Sequence, residues 1–96
     1  MSTRDEILSK LKILKAQLVK KYPIASIALF GSFSRGDNTT NSVVDILVEI
    51  NGKIGSKFID LAEELELSLG RKVDLISQNG IKPKYYQSIK NELIYV

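Results

Sequence analysis

The 96-residue chain contains neither cysteine nor histidine. Without Cys there is no disulfide framework and no thiolate zinc site, and without His the other common zinc ligand is missing as well. Triads of the Ser–His–Asp or Cys–His kind are excluded on the same ground. Any metal must therefore be held by oxygen, which points to magnesium, manganese or calcium. Long apolar runs are also lacking. None approaches the roughly 18 residues that a membrane span needs, and no basic-then-apolar leader opens the chain. A cytoplasmic protein without a membrane partner is expected. The formal net charge of +3 is mild, and the lysines fall where a solvated helix face would put them, so nucleic acid is not expected as a partner. The length suits one domain, residues 1–96, with a single core.

Taken in order, Thr3-Arg-Asp-Glu6 has the capping-box pattern. Ile7, Leu11, Leu14 and Leu18 then recur at helical spacing, flanked by Leu8 and Ala16, until Tyr22-Pro23 stops the helix. Residues Ile24 to Phe30 form a nearly all-apolar run, as a strand covered on both faces would. A loop from Gly31 to Asn41 follows, with room for a helical turn at Ser32, and then a second strand from Ser42 to Ile50. After the Asn51-Gly52 turn, Phe58, Ile59, Ala62, Leu65 and Leu69 mark a helix that ends at Gly70. Lys72 to Ile76 reads as a third strand, Pro83 to about Lys90 as a short helix, and Leu93 to Val96 as an edge strand. This order predicts an α/β (α+β) domain: a small mixed sheet of three to four strands flanked by helices.

Side chains alternate along a strand, so Val44, Ile46 and Val48 share the core face, while Val43, Asp45, Leu47 and Glu49 share the other. Asp74 can point the same way as Asp45 if the second and third strands are neighbours. Two carboxylates that close repel each other unless a cation sits between them. Gly31 lets a phosphate approach the backbone, and Ser32 offers both an N–H and a hydroxyl. Arg35 could clamp a phosphate or support the loop through a carboxylate. Each feature has a plainer reading. Gly31-Ser32 could be only a turn, Asp45 a solvated strand residue, and Asp74 a partner of Arg71 or Lys72.

Together, Gly31-Ser32-Phe-Ser-Arg35-Gly36, the spacing to Asp45, and Val73-Asp74-Leu75 resemble the minimal nucleotidyltransferases of the DNA polymerase β-like superfamily. The resemblance spans almost the whole chain. It implies a nucleotidyltransferase fold and transfer of a nucleoside monophosphate, usually AMP from Mg-ATP, to a hydroxyl acceptor. It also implies a helical HEPN-type partner protein, toward which such proteins act as antitoxins, some by modifying a partner tyrosine. By the same resemblance Gly31 and Ser32 would hold the triphosphate, with Arg35 on the loop or the phosphates. Asp45 and Asp74 would be magnesium ligands, Asp74 also a possible base. The pattern breaks at Val43, where the family carries the Asp that bridges two metals. Since the loss of even an outer-shell partner costs 10–100-fold, a lost ligand should cost at least ~100-fold.

Two functions follow from the resemblance. One is a nucleotidyltransferase weakened at Val43. The other is a catalytically degenerate pseudoenzyme that neutralises a HEPN-type toxin by contact. A third reading, a nucleic-acid module built on the lysines of the first helix, has little behind it. Tyr85-Tyr86 and the Ile94-Tyr95-Val96 tail suit either a partner surface or a tucked-in edge strand with core aromatics, and oligomerisation stays open.

Overall fold

The computed structural model describes residues 3–96. The first helix, α1 (Arg4–Lys21), starts at Thr3, whose hydroxyl oxygen accepts the Glu6 N–H at 3.3 Å. Glu6 returns a carboxylate to that same hydroxyl, at 3.3 Å, rather than to the Thr3 backbone. Ile7, Leu11 and Leu18 are buried, Leu14 is half-buried, and Ala16 faces out. At Tyr22 the backbone turns extended and Pro23 prevents continuation.

Four strands form one mixed sheet in the order β3-β2-β1-β4. β1 (Ile24–Phe30) and β2 (Val44–Ile50) are antiparallel, and β4 (Ile94–Tyr95) adds antiparallel to the other side of β1. β2 leads through α3 (Lys57–Leu69) to β3 (Val73–Ser77), which therefore returns parallel to β2. The helix α3 ends at Gly70, in the left-handed conformation at φ 66°. One sheet face carries Ile27, Leu29, Val44, Ile46 and Val48 against α1 and against Leu61, Leu65 and Leu69 of α3. The opposite face is smaller: Ala28, Phe30 and Leu47 meet Ile89 of α4 (Pro83–Ile89), with Tyr86 and Leu93 packed alongside. Residues 27–30 of β1 are thus buried on both sides, as the unbroken apolar run implies.

Three strands have bounds that differ from those read in the sequence. β2 starts at Val44, because Ser42 is drawn into a turn in which its Oγ accepts the Thr39 N–H at 2.8 Å. β3 starts at Val73, with the Lys72 carbonyl accepting the Val44 N–H at 2.9 Å where the two strands meet. The edge strand β4 is confined to two residues, preceded by a 3₁₀ turn at Lys90–Glu92. Among the described residues no helix is long and apolar enough to cross a membrane.

Candidate functional site

β1 runs straight into Gly31, at φ 78° and ψ −154°, a conformation that in practice only glycine adopts. The chain then makes one helical turn, α2 (Ser32–Arg35), closed by Gly36 at φ 84°. Phe33 anchors this turn, being fully buried in the main core beneath it, with the Arg71 guanidinium 5.1 Å above its ring. The turn is therefore fixed by packing as well as by its own hydrogen bonds.

Asp45 is the centre of the site. The β1–β2 register sets it beside Phe30, and the parallel β2–β3 register sets it beside Asp74. Gly31 lies directly against it: a Cβ at residue 31 would sit 2.9 Å from the Asp45 Cγ, and closer still to Oδ2. The glycine is thus required by the carboxylate next to it. Burial pushes the Asp45 carboxyl up to about 6; the Asp74 and Glu92 carboxylates add to the rise, and Arg35 opposes it. Asp74 is exposed on the edge strand. Arg71, one of the two cations considered for Asp74, instead stacks on Phe33 and donates to the Thr40 carbonyl at 3.3 Å.

Arg35 is held by two carboxylates. Its Nε pairs with Asp37 Oδ2 at 3.0 Å, and its Nη1 pairs with Glu92 Oε2 at 2.9 Å. Glu92 also accepts the Gly31 N–H at 3.0 Å. Sequence reasoning missed Glu92, along with Tyr85, whose ring stands edge-on to Phe30 at 6.4 Å and 79°. Burial raises the Tyr85 hydroxyl pKa, and the Asp45, Asp74 and Glu92 carboxylates raise it further. Nothing in the local spacing of Lys90-Asn-Glu92 marks it as part of a site 61 residues upstream.

Gly31, Ser32, Arg35, Val43, Asp45, Tyr85 and Glu92 line a cleft of about 390 Å³, and Asp74 stands beside it rather than in its lining. Val43 lies just outside β2, 38% exposed, and brings no oxygen to the cleft. Of the other carboxylates, Glu92 lines the cleft but is engaged by the Gly31 N–H and Arg35. Glu49, near the far end of β2, accepts from the Ser26 hydroxyl at 3.3 Å, and Asp37 is held by Arg35. Among the described residues no cluster of three or more His, Cys, Asp or Glu side chains could hold a metal ion. Strand register sets Asp45 and Asp74 side by side, two carboxylates of the kind that a hard divalent cation takes as ligands. Residue 43, where the resemblance read in the sequence would place a further carboxylate, is Val.

The nucleotidyltransferase domain model matches residues 11–96. A candidate protein adenylyltransferase of Methanocaldococcus jannaschii is 45% identical over 100 residues, spanning 100% of both chains. Among solved structures, a variant of the MntA–HpeT toxin–antitoxin complex has a chain that superposes with a TM-score of 0.73 at 25% identity, over 90% of this chain and 70% of that one. A toxin–antitoxin structure with AMP-PNP gives 0.66 at 30% identity, over 81% and 64%.

Proposed function

Because the chain belongs to the nucleotidyltransferase domain family, we propose that it acts as one nucleotidyltransferase domain, taking a nucleoside triphosphate, ATP first of all, into the cleft beneath the Gly31–Arg35 turn. The single observation that carries this reading is Asp45, fixed by strand register beside Asp74 and pressed against a glycine that opens onto the turn. Ser32 offers a hydroxyl and an N–H to the phosphates. Asp45 and Asp74 would hold one magnesium ion, which when bound neutralises phosphate charge and polarises the reacting phosphoryl group. The acceptor hydroxyl would displace pyrophosphate from the α-phosphorus, and Asp74, open to solvent at the sheet edge, would take the hydroxyl proton. The protein adenylyltransferase name of the relative and the toxin–antitoxin pairs among the solved structures support an acceptor on a partner protein. A partner of HEPN type, with this chain as its antitoxin, agrees with the resemblance read in the sequence.

Val43 supports a second reading, in which the chain retains nucleotide and partner but turns over little, and restrains the partner by contact. Calorimetric titration of ATP with and without magnesium tests the shared premise. Magnesium-dependent binding that disappears in Asp45→Asn is expected. Binding that survives this substitution unchanged puts the nucleotide elsewhere.

A further inference from the structure

We propose that Glu92 is a positioning residue of the nucleotide site, holding the Gly31–Arg35 turn, and through Gly31 the Asp45 carboxylate, in the arrangement that receives phosphates; this rests on the nucleotide-binding reading above. Glu92 reaches that position through strand pairing. β4 pairs Tyr95 with Ala28 and Ile94 with Leu29. The same antiparallel register carried past the strand sets Leu93 opposite Phe30 and Glu92 opposite Gly31. A glutamate two residues before the edge strand is thus delivered to the residue where β1 gives way to the turn.

Its contacts cover the turn from end to end. Oε1 accepts the Gly31 N–H at 3.0 Å, Oε2 takes the Arg35 Nη1 at 2.9 Å, and the Glu92 carbonyl accepts the Ser34 hydroxyl. Both carboxylate bonds fix an orientation, and the one to Arg35 joins two opposite charges. The Glu92 side chain is 21% exposed against 46% for Arg35, so the carboxylate is the more enclosed of the two. Gly31 is consequently held between two carboxylates: Glu92 on its N–H, and Asp45 where its Cβ would be. The missing side chain of Gly31 leaves room for Asp45, and Glu92 holds the Gly31 N–H on the other side. Arg35, with Nε on Asp37 and Nη1 on Glu92, is aimed by the same residue.

A plain tether of the C-terminal segment would make similar contacts, and a second tether supplies the control. The Lys15 ammonium donates to the Val96 carbonyl at 2.7 Å, so Lys15→Ala loosens the same segment without touching the turn. The experiment measures MgATP affinity and thermal stability of the parent, Glu92→Ala, Glu92→Gln and Lys15→Ala. It adds the hydrogen-exchange rate of the Gly31 amide, which needs no nucleotide. Glu92→Ala should weaken MgATP binding about 10–100-fold, as losing an orienting partner commonly does. Glu92→Gln, which keeps an acceptor for the Gly31 N–H, should weaken it less, and Lys15→Ala should leave it unchanged. The Gly31 amide should exchange faster in Glu92→Ala and stay protected in Glu92→Gln.

Parental affinity in Glu92→Ala would reduce Glu92 to a structural staple, and unaltered Gly31 exchange would remove the contact itself. If Glu92→Ala does not fold, Glu92→Gln decides alone. Affinity equal to the parent's, or tighter binding because Glu92 competes with phosphate for Arg35, overturns the proposal. Silence from both the parent and Val43→Asp defeats the nucleotide reading and this proposal with it. That outcome is distinct from a failure of Glu92 alone, in which the parent binds and Glu92→Ala binds equally well.

Discussion

Gly31 and the Asp45 carboxylate occupy one space: the side chain that residue 31 lacks would overlap the acid that the neighbouring strand projects. The glycine of the turn and the acid of the strand are therefore a single steric unit.

Gly31→Ala should on this ground be costly twice over. Its φ of 78° and ψ of −154° are strained for any side chain, and the new Cβ must displace Asp45. A loss of at least about 2 kcal/mol in urea unfolding is expected. Gly36→Ala has a similar φ of 84° with open space around its Cβ, so it should lose only about 1 kcal/mol, the left-handed penalty alone.

Asp45 gives the protein a pH dependence of definite sign. Its carboxyl titrates near 6 in the folded chain against an ordinary 3.8. Between those values the folded state holds a proton that the unfolded state has released, so stability falls as pH rises through the window and levels off above it. Asp45→Asn removes this loss and should be more stable than the parent at neutral pH. Solvent screening of a half-exposed carboxylate holds the gain to about 1 kcal/mol, or roughly 4–8 °C in Tm. Urea midpoints of the two proteins should converge near pH ~4 and separate by pH ~7. An Asp45→Asn protein less stable than the parent at neutral pH would mean that Asp45 lies in a favourable ion pair.

Nucleotide binding should depend on a divalent cation. Arg35 is the one cationic side chain that lines the cleft among the described residues, and Asp37 and Glu92 already hold it. A triphosphate without metal meets Asp45 and Glu92 with no free positive charge to offset them. Chelation of magnesium should weaken ATP binding about 100-fold or more, read by calorimetry. Comparable affinity in the presence of chelator would require a cationic site elsewhere.

The elements were legible wherever one residue type governs a backbone choice. Thr3 starts the first helix, Pro23 bars its continuation, and Gly70 ends the third. Alternation along β2 separated Val44, Ile46 and Val48 from Asp45, and the parallel β2–β3 pairing then brought Asp45 and Asp74 together as expected. The start of β2 was misjudged because Ser42-Val-Val looks like strand, while the Ser42 hydroxyl is spent on the Thr39 turn. Glu92 was not legible at all. Its place depends on the register of a two-residue edge strand, which no local pattern encodes. The Arg35 pairing was equally hidden, since one of its two partners is that same distant carboxylate.

Whether the Asp45–Asp74 pair beneath the Gly31 turn is a nucleotide site weakened at Val43 is read from one comparison. ATP is titrated calorimetrically, with and without magnesium, into the parent and into Val43→Asp. Residue 43 is 38% exposed beside the cleft, so the added carboxylate can be accommodated. Magnesium-dependent binding should be at least ~100-fold tighter in Val43→Asp than in the parent. Equal affinity in the two proteins would show that Val43 costs the site nothing, and no binding in either would contradict the site itself.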